Sequence, residues 1–276
     1  MLKKLALFLA LLLLPVALWC YSQFVEREHI EKTEHVVESA DWHGGELRLA
    51  VLADLHARPA DGEYLDRIVM AALSLRPHAV LLLGDYLNGH TPQEGMSIGE
   101  LEEHLRPLSA LPCYAVLGNH DYSYAAPALR AMFSRLGMQC VEGKRVELCA
   151  AGGKLDIAGI RCRYAFDTPG LVPDPRAGVP MLLLSHTPVG AQHAHKDTLL
   201  TVSGHSHGGQ VCLPGGCPVW MADGKTPKEW AAGMVQVQGR PCYVTRGLGT
   251  SFLPIRFCCR PELTLLRIKS PTNCAQ

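Results

Sequence analysis

Five times in this chain a strand-length run of apolar residues stops at side chains that bind metals or move protons. The runs are Leu47–Leu52, Ala79–Leu83, Cys113–Leu117, Pro180–Leu184 and Thr198–Ser203. They end in Ala53-Asp54-Leu55-His56, Gly84-Asp85, Gly118-Asn119-His120-Asp121, Ser185-His186-Thr187-Pro188 and Gly204-His205-Ser206-His207-Gly208-Gly209. Short apolar runs of this kind read as buried strands. Gly, Asn and Asp dominate ordinary turns, so one such cluster says little. Five at matching strand ends say much more, because ligands of open α/β sheets bind beyond the carboxyl ends of the strands.

Helical spacing fills the gaps in the first half. Leu65, Ile68, Val69, Ala72 and Leu75 recur at helical intervals within Tyr64–Leu75, and Pro77 ends that run. Gly99–Leu108 is helix-like, and so is Pro127–Leu136, with Pro in its first turn and Gly137 as a stop. Alternating strand and helix is the signature of a layered α/β domain. After Gly137 the texture changes. Cys140–Val146, Val146–Cys149 and Lys154–Ile160 read as strands joined by Gly-rich turns, and 161–178 as a Pro- and Asp-rich loop. Further strands are expected near Val235–Val237, Cys242–Thr245 and Leu263–Arg267. Neither repeats nor a second domain are visible. The organisation is a leader over 1–24, a linker with a first edge strand near Glu34–Ser39 over 25–46, and one domain over 47–270.

The donors can be counted. In a short extended segment, period two puts Asp54 and His56 on one side, and His205 and His207 likewise, so each pair can chelate. Two aspartates, the Asn119 oxygen and four histidines (His56, His186, His205, His207) suffice for two divalent metals if one carboxylate bridges them. Mixed oxygen and nitrogen donors suit Mn, Fe, Zn or Co better than Ca or Mg. Two ions about 3.5–4 Å apart form a clamp used in phosphate-ester hydrolysis, with a water between them activated for attack on phosphorus. His120 is left over to protonate the leaving oxygen or stabilise the charge there, and Asp121, one residue on, could hold its tautomer. Arg58, two residues beyond His56, is a candidate for a substrate phosphate.

On these residues the chain resembles the calcineurin-like metallophosphoesterase superfamily. Asp54-x-His56, Gly84-Asp85, Gly118-Asn119-His120-Asp121, His186 and Gly204-His205-x-His207 stand in the family's order. The resemblance implies a four-layer α-β-β-α sandwich. It implies Asp54, His56, Asp85 and His207 on one metal and Asp85, Asn119, His186 and His205 on the other, with Asp85 bridging and His120 catalytic. Ala53 departs from the family, where Ser or Thr is common, but it is not a ligand. The leader, Gly208-Gly209-Gln210 and the tail Arg246-Gly247-Leu248-Gly249-Thr250…Pro254-Ile255-Arg256 look like the membrane-anchored bacterial branch.

Lys3 and Lys4 precede a nearly unbroken apolar run from Leu5 to Tyr21. It reads as an uncleaved N-terminal membrane helix rather than a signal peptide, because bulky Trp19, Tyr21 and Phe24 occupy the place of a cleavage site. The lysines would stay in the cytoplasm and the domain would lie beyond the bacterial inner membrane. The alternative is a helix in the cytoplasmic leaflet. The expected substrate is a phosphodiester, phosphomonoester or pyrophosphate, and a membrane location favours a lipid-linked one. A UDP-diacylglucosamine-type lipid pyrophosphate would require the cytoplasmic face. Leu213-Pro214-Gly215-Gly216 and Leu253-Pro254-Ile255 could form an apolar lip for it. A non-catalytic metal-binding scaffold is the other class, but every ligand position and His120 are filled. The formal charge is zero, which speaks against nucleic acid as a partner. Of 11 cysteines, Cys212 and Cys217 could close a small loop, and Cys258-Cys259 are adjacent.

Overall fold

In the computed structural model, residues 2–163, 166–167, 172–221 and 223–271 are described. Helix α1 (Leu2–Tyr21) passes through one π-helical turn into β1 (Glu31–Glu38). There follow β2 (Leu47–Leu52), α2 (Gly62–Ser74), β3 (Ala79–Leu82), α3 (Ile98–Leu105), β4 (Cys113–Ala115), α4 (Asn119–Tyr124), α5 (Ala126–Arg135) and β5 (Gln139–Cys140). The second half holds β6 (Arg145–Ala150), β7 (Gly153–Gly159), the ribbon β8 (Cys162–Arg163) and β9 (Phe166–Asp167), then β10 (Met181–Leu184) and β11 (Leu200–Ser203). A second ribbon of β12 (Cys212–Leu213) and β13 (Cys217–Pro218) precedes β14 (Gly233–Val237), β15 (Arg240–Val244) and β16 (Glu262–Lys269).

Two six-stranded sheets result, in the orders β1-β16-β2-β3-β4-β5 and β14-β15-β11-β10-β7-β6. The strands that deliver the polar clusters run parallel to one another within each sheet: β2, β3 and β4 in the first, β10 and β11 in the second. Alternation along each strand sets the layers. Ala50, Leu52, Val80 and Leu82 face the helices α2, α3 and α5 with Ile68, Leu101 and Phe133. Leu49, Val51, Ala79 and Leu81 face the other sheet and meet Ile157, Leu182, Leu184 and Val202. At about 25 cal/mol per Å², burying these two apolar faces is the main force holding the sheets in place.

The two packed sheets and the helices on the first agree with the expected metallophosphoesterase fold. Among the described residues, the outer face of the second sheet carries short segments rather than α-helices. Ala191, in a 3-10 turn over Pro188–His193, packs with Val237, Cys242 and Val244. Ala194 packs with Ile160, Met181 and Leu183. The loop predicted over 161–178 contains the ribbon β8–β9, while 164–165 and 168–171 lie outside the described residues. Cys212 and Cys217 do not close a loop. Cys212 registers with Pro218 and Cys217 with Leu213, and both are free thiols.

In α1, side chains are described at Lys4 and from Leu12 onward. Leu12, Leu13, Leu14, Val16, Leu18, Trp19 and Tyr21 are exposed. Among the described residues no helix is long and apolar enough to cross a membrane, so the predicted spanning anchor is not shown. The end of α1 is nevertheless tied down. The Arg256 N–H donates to the Ser22 carbonyl at 3.1 Å, and the Cys259 N–H donates to buried Glu26 at 2.7 Å.

Candidate metal centre

The five clusters meet at one edge of the sandwich. Beyond β2 and β3 the ladder continues: the Asp54 N–H donates to the Gly84 carbonyl and the His56 N–H to the Asp85 carbonyl, each at 3.0 Å. Asp54, His56, Asp85, His205 and His207 all have positive φ, between 42° and 70°. Residues other than glycine rarely adopt that region, and each such residue costs on the order of 1–3 kcal/mol. The surrounding fold holds them there. A side chain at Gly118 would overlap the Asp85 carboxylate, and one at Gly204 would overlap that of Asp54. These two glycines let the backbones approach that closely.

Two groups of donors share Asp85. On one side, ligand atoms of Asp54, His56 and His207 lie within 4.8 Å of one another. His56 Nε2 is 3.1 Å from His207 Nε2 and 3.5 Å from Asp85 Oδ2. On the other side, His186 Nε2 is 3.2 Å from the same Asp85 oxygen, 3.0 Å from Asn119 Oδ1 and 3.1 Å from His205 Nδ1. His186 Nδ1 lies 2.8 Å from the Leu83 carbonyl, which fixes its proton there and leaves Nε2 for a ligand. The Asp54 carboxylate accepts the His205 N–H at 2.9 Å.

Electrostatics favour a cation between these groups. Burial pulls His56 down to about 3 and also depresses His207, so both rings are neutral near pH 7 and offer lone pairs. Burial raises Asp54 to about 7. For His186, burial pulls down, but Asp85 and Asp54 overcome it and hold the ring at about 10. Burial likewise opposes ionisation of Asp85, and His186, His120 and His56 hold it well below the usual carboxylate range. A proton on His186 thus occupies the electrostatic place that suits a metal ion. The Nδ1 atoms of His56 and His207 are buried without a hydrogen-bond partner, so neither ring is held by protein contacts at that nitrogen. Carboxylate, amide and imidazole donors at these separations fit two divalent cations, with Asp85 between them.

His120 stands beside this set. Its ring is edge-on to His56, with centroids 4.7 Å apart, and stacked on His90 at 4.3 Å. Its Nδ1 lies 2.7 Å from the Gly89 carbonyl. The tautomer-holding role predicted for Asp121 is therefore corrected. The buried Asp121 carboxylate accepts the N–H groups of Asp85 at 2.8 Å, Tyr86 at 3.0 Å and Gly118 at 2.8 Å. It shapes the loops that carry Asp85 and Asn119 and leaves the imidazole to Gly89. The substrate contact expected of Arg58 is corrected too. Its guanidinium donates to the Thr250 hydroxyl and carbonyl at 3.0 and 3.1 Å, and Arg58 is not among the residues lining the cleft.

The cleft adds residues that the strand-end pattern could not reach: His90, Asp223, Lys225, Ser251 and Phe252 line it with His120. Asp223 Oδ2 is 3.3 Å from His205 Nε2. Behind the site, fully buried Arg256 donates to the carbonyls of His207, Arg246, Gly247, Gly249 and Cys259 at 2.7–3.3 Å. The tail motif thereby clamps the loop that carries His207.

The chain is similar to the uncharacterised metallophosphoesterase YkuE of Bacillus subtilis, at 29% identity over 91% of this chain and 89% of that one. It is 25% identical to the UDP-2,3-diacylglucosamine pyrophosphatase LpxG of Chlamydia trachomatis, over 92% and 93% of the two chains. A solved dimetal phosphatase from Danio rerio aligns with a TM-score of 0.47 at 13% identity, over 73% of this chain and 88% of that one. The family model of the calcineurin-like phosphoesterases matches residues 47–245, so the chain belongs to this family of metal-dependent phosphoester hydrolases.

Proposed function

We propose that the protein is a dinuclear hydrolase of lipid-linked phosphodiesters or pyrophosphates, working where lipid meets water. The dinuclear reading rests on one observation above all: the Asp85 carboxylate stands between His56 and His186, each the entry to a separate donor group. When bound, two cations of the Mn, Fe, Zn or Co class supply charge that draws in the phosphoryl oxygens and the activated water that attacks phosphorus. The chain's own groups do the rest. Asp54, His56, Asp85 and His207 would hold one cation, and Asp85, Asn119, His186 and His205 the other. With Nδ1–H donated to Gly89, His120 carries its transferable proton on Nε2 and delivers it to the leaving oxygen. Lys225, on the wall of the same cleft, brings further positive charge to the departing group.

The lipid part is supported by the rim. Phe252 lines the cleft yet is 74% exposed, and its ring is 6.5 Å from that of exposed Trp220. Leu213, Val219 and Leu253 are exposed as well. The end of α1, through Pro15, Leu18 and Trp19, borders a crevice with Val211, Ile255 and Phe257. Exposed apolar side chains on these loops, together with an apolar helix, suit an acyl chain better than a soluble ester. The similarity to LpxG points the same way. On this reading the enzyme sits at the bacterial inner membrane, and a nucleotide-linked substrate places its domain on the cytoplasmic side.

The test uses the purified full chain with added Mn. Bis(4-nitrophenyl) phosphate, 4-nitrophenyl phosphate and UDP-2,3-diacylglucosamine are compared with the deacylated sugar nucleotide. Preference for the acylated substrate by at least about tenfold is expected, since each buried methylene contributes about 0.8 kcal/mol. Equal turnover of acylated and deacylated forms would end the lipid reading, and no turnover of any ester with Mn, Fe, Zn or Co would end the enzymatic one. A reporter fused to the C-terminus then tests the membrane face.

A further inference from the structure

His205 is built to present one particular nitrogen. Its Nδ1 faces the donor group, 3.1 Å from His186 Nε2, and the two rings stand at 70° with centroids 4.9 Å apart. The opposite nitrogen, Nε2, is buried and makes no hydrogen bond of regular geometry; the polar group nearest to satisfying it is the Asp223 carboxylate, with Oδ2 at 3.3 Å. A ring that binds metal through one nitrogen must carry its proton on the other, and the partner of that proton fixes both tautomer and orientation.

Asp223 is itself fixed. Its Oδ1 accepts the N–H groups of Lys225 and Thr226, each at 3.1 Å, and its Oδ2 accepts the Thr226 hydroxyl at 2.5 Å. The carboxylate therefore closes its own turn and cannot swing away without breaking it. One oxygen, Oδ2, holds the turn on one side and faces the imidazole on the other. The same turn carries Lys225 to the wall of the cleft. Unlike the seven candidate ligands, Asp223 does not follow a strand end but comes from an irregular loop. It lies between β13 and β14.

We propose that Asp223 is a positioning residue of the metal centre: it accepts the Nε2 proton of His205 and so holds Nδ1 as the metal-facing nitrogen. The inference rests on the reading of His205 as a metal ligand and adds the residue that decides which nitrogen it offers. The closing of the Asp223–Lys225–Thr226 turn and the setting of one ligand are then a single event. The loop that walls the cleft is ordered together with the cation site holding Asn119, His186 and His205.

The test compares Asp223→Ala, Asp223→Asn and His205→Ala in the full chain. Two readouts are independent of turnover. One is the stepwise binding of Mn to metal-free protein by calorimetry. The other is the tautomer of His205, read by nitrogen NMR on histidine-labelled protein. In wild type the His205 proton is expected on Nε2. Asp223→Ala is expected to weaken one of two Mn equivalents by about 10–100-fold, leave the other unchanged, and lose the single tautomer. Asp223→Asn keeps an acceptor oxygen and the turn, so it should fold as wild type and lose less. Unchanged stepwise affinities and an unchanged tautomer in both Asp223 variants would overturn the proposal. His205→Ala separates the two levels. If it loses one equivalent while the Asp223 variants lose none, only the positioning role fails. If it binds two equivalents like wild type, the ligand reading beneath it fails.

Discussion

His120 turns its Nδ1 to within 2.7 Å of the carbonyl oxygen of Gly89, joining the loop after β3 to the first turn of α4. The carbonyl can only accept, so Nδ1 carries a proton and Nε2 is the nitrogen that exchanges one with a substrate. His120→Ala is expected to lower kcat by about 10²–10⁴-fold while leaving metal content intact. The loss should be largest for an alkyl ester, whose leaving oxygen needs the proton, and smallest for a nitrophenyl ester. Equal losses on both esters, measured by steady-state turnover beside elemental analysis, would show that the ring does not act as an acid.

Asp85 makes the opposite prediction. Its Oδ2 is 3.2 Å from His186 Nε2 and 3.5 Å from His56 Nε2, so both donor groups depend on it. Asp85→Ala should bind one equivalent of metal or fewer, and turnover should fall to background. Metal content distinguishes it from His120→Ala, which loses only the chemistry. Retention of two tightly held equivalents in Asp85→Ala, by elemental analysis after gel filtration, would rule out a shared carboxylate.

Asp121 should behave as a structural residue. Three buried N–H groups, of Asp85, Tyr86 and Gly118, converge on its two oxygens. Removing the acceptor leaves them unpaired at about 1–3 kcal/mol each, partly relieved by rearrangement. Asp121→Ala is expected to cost about 3–5 kcal/mol in urea unfolding. In whatever folded fraction survives, the acid limb of the pH–rate profile should not move, because Gly89 rather than Asp121 holds the imidazole. A shifted limb would return the orienting role to Asp121.

What the sequence made legible here is what regular structure carries. A parallel strand buried on both faces announces itself as an apolar run, and its end announces the next side chains; hence Asp54, Asp85, Asn119, His186 and His205 could all be read before any coordinates. Asp223 was invisible because no strand precedes it and its partner His205 is close in space only through loop geometry. Helix α4 was missed for a related reason. Asn119–Tyr124 has no apolar period, and the helix is set by Asp121 accepting the Gly118 N–H. Arg256 is legible only as a member of the tail motif, whereas its guanidinium is buried among five carbonyl-bearing residues. Cationic side chains are almost never fully buried, so no sequence rule would place one there.

The junction of β1 and β16 carries a pH prediction. Glu262, only 5% exposed, accepts the Thr33 hydroxyl at 2.9 Å and the Arg246 N–H at 2.9 Å, with the Arg246 guanidinium 3.4 Å away. Burial alone would raise its carboxyl; the Arg246 charge and these donors overcome burial and hold it below its ordinary 4.5. A depressed folded value means that the contribution is present above the unfolded value and is lost as pH falls through the folded one. Glu262→Gln should therefore cost about 2–3 kcal/mol at pH 7, less than a fully buried pair because the Arg246 side chain keeps 21% of its surface in water. The gap between wild type and variant should be flat from pH 7 down to about 5 and shrink below about 4.5. Urea titrations of both proteins across pH 3–8 measure it directly, and a gap that widens on acidification would contradict the ion pair.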